Sequence, residues 1–262
     1  MSLEHERHVL ESGVTLLARP LDSNDIVALR ATLPMGPLYE DDEEAGVSRL
    51  VQQVIVRGTE RRSNRQLQEA LAALGADLDA GTGADLGSVT ARATGSTWGD
   101  ALDLLLETLV EPAFAPDELE IEIERTLAAI EAREDRLLTR AMDLFRDRFY
   151  GEHPFHKPTI GTREAVKRVD RERLLAAARR FYRPVPPVVV AVGRFDLERL
   201  VERVDRAFGG ESLVPPEPRP EPPEPGRGTC RLEVDREAAY VVVGHPAPDL
   251  ADPEYAASQV VA

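Results

Sequence analysis

Cysteine, lysine and long apolar runs are what this chain has least of. Cys230 is the only cysteine among 262 residues, which excludes an internal disulfide and a thiolate zinc cluster and leaves the redox compartment unconstrained. Lys157 and Lys167 are the only lysines; the other cations are arginines, a bias expected of a GC-rich genome. The net charge is −15, so no basic face suited to nucleic-acid phosphates is visible, and an anionic leaflet would repel the surface. No run approaches the roughly 20 apolar residues that span a bilayer. The longest, residues 184–192, is rich in proline and valine and reads as a buried strand. The first residues carry no apolar signal-peptide core. The expectation is a soluble protein, cytoplasmic or periplasmic.

What is present is a globular composition. Apolar residues make up 42% and charged residues 30%, the latter spread along the chain rather than massed in a tail. Residues 9–33 read as strands broken by the Ser12-Gly13 turn and the loop at residues 22–25. An acidic stretch, residues 40–44, then leads into a helix. Its apolar residues Val47, Leu50, Val51, Val54 and Ile55 follow helical spacing, and Gly58 is placed to close it. Ser63 is placed to cap a second helix, Asn64–Leu74, that stops at Gly75. Residues 76–93 read as two strands joined by a turn near Gly83-Ala84-Asp85. Helices follow over residues 96–110, over 116–150 with a break near Asp135, over 170–182 after an Asp170 cap, and after Asp196 as far as Gly209-Gly210.

Residues 214–228 are dense in proline and read as an extended linker. Beyond them the pattern restarts: strands at 230–234 and 240–243, then a helix from Pro253. The expected organisation is one α+β domain over residues 1–213, the linker over 214–228, and the beginning of a truncated second domain over 229–262.

The segment from Gly46 to Gly58-Thr59 resembles the signature of the pitrilysin, insulinase and mitochondrial-processing-peptidase superfamily of zinc peptidases. In active members it reads approximately G-x-x-H-x-x-E-H-x-x-x-x-G-T. Ordered resemblances continue down the chain. Asp79-Ala80-Gly81-Thr82 after Leu74-Gly75 is similar to a family strand, and Glu111-Pro112-Ala113-Phe114 to a family turn. Tyr150-Gly151-Glu152-His153-Pro154, Phe181-Tyr182-Arg183-Pro184 and Val192-Gly193-Arg194-Phe195-Asp196 match further family segments. The resemblance implies a mainly antiparallel sheet covered by helices, a processing-peptidase-like (ferredoxin-like) domain.

The chemistry departs from that frame. The resemblance puts Arg49 and Gln53 at the two histidine positions and Gln52 at the general-base position. A guanidinium has no lone pair to give. An amide oxygen is a poor substitute for imidazole at zinc, and a carboxamide cannot take up the proton of a metal-bound water. Glu124 and Glu131 are similar to the family's E-R-x-x-x-x-x-E, whose last glutamate binds zinc; a small shift would put Ala129 or Ile130 there instead, and the plain alternative is two ordinary helix charges. His153 and His156 sit in a proline loop without nearby cysteine and do not read as a metal site. No cofactor is expected.

Arg49, Gln52 and Gln53 share one polar helix face. It is either solvated or the wall of a chamber. Asp79, Ala80, Gly81 and Thr82 match the family strand whose edge pairs with an extended peptide through backbone hydrogen bonds; an ordinary glycine-containing strand is the alternative. The resemblance implies a non-catalytic subunit partnered with an H-x-x-E-H chain of the same family. Alternatives are a homodimeric structural or peptide-binding protein without a peptidase partner, and an active zinc metalloendopeptidase.

Overall fold

A computed structural model describes residues 5–182, 185–209, 224–235 and 237–261. Its centre is a six-stranded sheet built from β1 (Glu6–Val9), β2 (Thr15–Pro20), β3 (Ile26–Pro34), β4 (Asp77–Thr82), β5 (Leu86–Thr94) and β6 (Val188–Gly193). The strand order is β1-β2-β6-β3-β5-β4. Only β2 and β6 run parallel; the other four pairings are antiparallel. The expected mainly antiparallel α+β fold is therefore present.

Nine helices accompany the sheet among the described residues: α1 (Val47–Ile55), α2 (Asn64–Leu74), α3 (Trp98–Val110), α4 (Pro116–Glu134), α5 (Leu137–Tyr150), α6 (Arg163–Lys167), α7 (Arg171–Phe181), α8 (Leu197–Phe208) and α9 (Tyr255–Val261). Their ends follow local chemistry. Ser63 and Gln66 form a reciprocal capping box at α2, and Gly75 closes that helix in the left-handed region. Asp170 and Asp196 each accept the N–H three residues on, at the starts of α7 and α8. The long helical stretch does break as expected, because Arg136 turns extended between α4 and α5.

Strand alternation puts one face of the sheet in the core. Val27, Leu29, Ala31 and Leu33 of β3 meet Val89 and Ala91 of β5 and Val189 and Ala191 of β6. Against them pack Leu50, Val51, Val54 and Ile55 of α1 and Leu102 and Leu105 of α3. Each buried valine, leucine or isoleucine among them contributes about 1.5–3 kcal/mol as an upper estimate.

The other face is open: Ile26, Leu86 and Val188 are exposed. This corrects the reading of residues 184–192 as a buried strand. β6 is central in the sheet, yet only Val189, Ala191 and Gly193 along it are buried. Its continuous valine run reflects strand propensity rather than burial on both faces. Residues 183–184 at the start of that run lie outside the described residues.

A second correction concerns the C-terminal part. No strand forms at 230–234 or 240–243 among the described residues, whereas the helix expected from Pro253 is present as α9. A strand requires a neighbour to accept its ladder bonds, and none lies alongside. The segment instead runs over α5. Gly226 N–H donates to Phe149 O at 2.8 Å, and a cleft of about 1270 Å³ separates the segment from Leu137, Ala141, Leu144, Phe145 and Phe149. Most of the proline-rich linker, residues 214–223, lies outside the described residues. No helix among the described residues is long and apolar enough to cross a membrane.

Candidate functional site

α1 begins where two glycines meet. Gly46 stands at φ +98°, and a Cβ there would lie 2.7 Å from Gly161 Cα. Only glycine fits at this left-handed, crowded start. The first helical N–H groups need an acceptor, and Glu40 supplies one. Its carboxylate accepts from Gly46 N–H at 2.9 Å and Ser48 N–H at 2.7 Å. The Ser48 hydroxyl in turn accepts from Gly36 N–H at 3.1 Å. Buried Lys157 donates to the Glu40 carbonyl and lies 3.2 Å from Asp42. The loop carrying His153 and Lys157 thus closes over the helix start.

The polar face of α1 divides three ways. Arg49 is half-buried. Gln52 is fully buried, with its Nε2 3.0 Å from Met35 Sδ. It fits only because β5 carries glycine opposite; a Cβ at Gly87 would lie 2.3 Å from that nitrogen. The Tyr182 hydroxyl lies against the same carboxamide. Burial pushes its pKa above the ordinary tyrosine range, and the Gln52 contact opposes that shift. Neither Gln52 Oε1 nor Tyr182 Oη makes a well-formed hydrogen bond. Gln53 is half-buried and donates to Ala80 O at 3.3 Å.

β4 is an edge strand, and its register fixes which backbone groups are free. Gly83 N–H donates to Leu86 O at 2.7 Å, and Gly81 pairs with Ser88, Asp79 with Thr90 and Asp77 with Arg92. Hydrogen-bonded pairs alternate with non-bonded ones in an antiparallel ladder. Leu78, Ala80 and Thr82 therefore turn their N–H and C=O groups outward. The Gln53 bond to Ala80 O agrees with that assignment. Of the expected edge residues, Asp79 and Gly81 are exposed, Ala80 is buried toward α1, and Thr82 is half-buried with its hydroxyl unpartnered.

The expected glutamate pair lies elsewhere. Glu124 and Glu131 are both exposed on α4. The buried face of α4 carries Leu119, Glu122, Thr126 and Ile130, and α4 packs against α1. Ile130, the alternative left open by the sequence, is thus in the core cluster while Glu131 is in solvent. Glu122 is the acid that ties α4 to the turn just after α1, through Arg57 at 2.8 Å. His153 accepts from Phe155 N–H at 3.2 Å, and desolvation, then His156 and Lys157, hold its pKa below 6.5.

Several of these groups were missed in the sequence. Glu40 lay in an acidic stretch read only as a lead-in, and nothing in its spacing distinguished it from residues 41–44. Lys157 carried no signal of burial, since equally rare Lys167 is exposed. Met35, Gly87 and Tyr182 come together only through sheet register and helix packing.

The sequence pattern described as insulinase (peptidase family M16) matches residues 17–163, and the pattern described as peptidase M16 inactive domain matches residues 168–262. The chain belongs to peptidase family M16. A Mycobacterium tuberculosis protein named as an uncharacterized zinc protease is 27% identical over 254 residues, which cover 94% of this chain and 58% of that protein. A probable mitochondrial-processing peptidase subunit beta of Arabidopsis thaliana is 26% identical over 79% of this chain and 41% of its own length. The chain thus spans about half the length of the curated relatives it matches. A Pseudomonas fluorescens peptidase M16 inactive domain has the same fold, with a TM-score of 0.79 at 20% identity over 85% of this chain and 55% of that one.

Zinc, which the family implies, does not fit these residues. Arg49 has no lone pair, Gln52 and Gln53 offer only amide oxygens in place of imidazole, their Nε2 groups being held on Met35 Sδ and Ala80 O, and Ile130 on the buried face of α4 is aliphatic. No group of three or more His, Cys, Asp or Glu among the described residues is placed to hold a metal ion.

Proposed function

We propose that this chain is a non-catalytic subunit of an M16-type assembly, contributing peptide contacts and chamber wall to a family member that carries H-x-x-E-H. The observation that carries this reading is Gln52. At the general-base position stands a fully buried carboxamide, locked over Gly87 against Met35. A carboxamide cannot take up a proton near neutral pH. Arg49 and Gln53 beside it cannot replace imidazole.

Two features support a retained role in peptide contact. β4 offers the outward backbone of Leu78, Ala80 and Thr82, the arrangement that strand addition requires. The sheet also keeps an open face, which suits a wall against a second domain. Asp79, Ala80, Gly81 and Thr82 remain the proposed peptide edge, and Glu124 and Glu131 carry no role in this reading.

The test is reconstitution. The chain is mixed with an H-x-x-E-H family member from the same genome, and complex formation and peptidase turnover are measured. A stoichiometric complex more active than the partner alone is expected. A homodimer that ignores the partner would point instead to a structural or peptide-binding protein. Tight zinc binding and turnover by the isolated chain would overturn the non-catalytic assignment.

A further inference from the structure

α1 is buried almost all round. From Val47 to Ile55 only Arg49 and Gln53 escape full burial, one turn apart on the same face. The helix runs antiparallel to β4. Its start lies by the turn after that strand: Ser48 Oγ accepts from Gly36 N–H at 3.1 Å, and Leu38 N–H donates to Ala84 O at 3.1 Å. Farther along, Gln53 Nε2 lies 3.3 Å from Ala80 O. Four residues back along α1 is about 6 Å, and two residues on along β4 is about 7 Å. Arg49 is therefore level with Thr82, one of the three residues whose backbone groups face outward. Ala80 O keeps a second lone pair, so the Gln53 bond leaves the edge open to an added strand.

Charge at this end of the edge is unbalanced. Gln53 is bonded to Ala80 O, and Arg57, one turn farther on, is held by Glu122 at 2.8 Å. Arg49 makes no hydrogen bond or ion pair among the described residues. The acids of β4 do not serve it. Asp77 and Asp79 alternate with Leu78, Ala80 and Thr82, so their side chains stand on the sheet face away from α1. The Thr82 hydroxyl is buried and likewise has no partner. A half-buried guanidinium without a counter-charge favours a carboxylate.

We propose that Arg49 makes the β4 edge selective for extended peptides that bring a carboxylate to the level of Thr82, from an aspartate or glutamate side chain on the α1 face or from the peptide's own C terminus. The proposal rests on the peptide-edge reading above and adds the ligand class. Backbone pairing supplies affinity that any extended sequence can give, and the guanidinium supplies the discrimination.

The test measures fluorescence anisotropy of rhodamine-labelled decapeptides built on one Ser/Thr/Val host. Three are amidated at the C terminus and carry Gln, Glu or Lys at the centre. A fourth carries Gln and a free C-terminal carboxylate, and a fifth is the amidated Gln peptide N-methylated at alternate residues. The proteins are the unsubstituted chain, Arg49→Gln, Arg49→Glu and the charge-keeping Arg49→Lys, with thermal melts to confirm folding. The unsubstituted chain should bind the Glu peptide or the free-carboxylate peptide about fivefold tighter than the amidated Gln peptide, the scale of one partly exposed charge pair. Whichever of the two gains identifies the source of the carboxylate. Arg49→Lys should retain the preference, Arg49→Gln should lose it without losing affinity for the Gln peptide, and Arg49→Glu should turn it toward the Lys peptide. No preference in the unsubstituted chain, or one that survives Arg49→Gln, would overturn the role of Arg49, while N-methyl-sensitive binding of the Gln peptide would leave the peptide edge standing. If no peptide binds, or N-methylation changes nothing, the edge reading fails and the proposal with it.

Discussion

At Glu40 a carboxylate performs for α1 the service a capping side chain performs elsewhere, but from six and eight residues upstream. Burial raises its pKa above 4.5, outweighing the hydrogen bonds from Ser48 and Gly46 and the nearby Lys157 charge that lower it. The folded chain therefore binds this proton at a higher pH than the unfolded chain. The stability tied to the group is fully present below 4.5 and is lost as pH rises through the folded-state value. Glu40→Gln removes that titration and leaves Asp42, Lys157 and His156 in place. The stability of the unsubstituted chain relative to the variant, measured as unfolding free energy by denaturant titration, should increase as pH falls. A difference that stays flat between neutral pH and 4.5 would refute the assignment. Gln52 illustrates the opposite strategy at the same scale. Its position holds no charge to titrate, and its fit depends on the missing side chain at Gly87.

Elements were more legible than the contacts between them. The stripe Val47, Leu50, Val51, Val54 and Ile55 gave α1 directly, and the Ser63, Asp170 and Asp196 caps gave three helix starts. These are short-range signals, and the fold respects them. The strands expected at 230–234 and 240–243 failed for the converse reason. A strand is completed by a neighbour, and alternation within a segment says nothing about whether one is present. The α4 face stays open in the sequence because a shift of one residue turns a helix position by about 100°; that shift separates exposed Glu131 from buried Ile130. Glu122 was likewise invisible until α4 was seen against α1. It is buried, accepts from Arg57 at 2.8 Å and lies 2.7 Å from Arg125. Glu122→Ala leaves the half-buried Arg57 without its carboxylate, at a cost of about 1–3 kcal/mol after allowing for partial solvation. Arg125→Ala removes only an exposed partner and should cost less than about 1 kcal/mol. Equal losses in urea titrations would mean that the acid does not tie α4 to the turn after α1.

On the scale of the whole molecule, the buried apolar cluster among the described residues runs from Val14 to Phe208 and includes no described residue of the C-terminal segment. Leu232, Tyr240, Val241 and Val243 are all half exposed or more. The proposed domain boundary near residue 213 therefore makes a physical prediction. Cooperative stability should reside in residues 1–209, because burial of apolar surface is what the fold gains most from. A chain ending at Gly209 should unfold in one transition, within about 1 kcal/mol of the longer chain, since losses of exposed contacts are small. One change is expected: Phe145 and Phe149 lose the segment that lines the cleft over α5, so binding of an apolar dye should rise. If the shorter chain instead fails to fold or loses cooperativity, the segment after the proline tract is part of the same folding unit. In that case the boundary must be redrawn to include the segment that crosses α5.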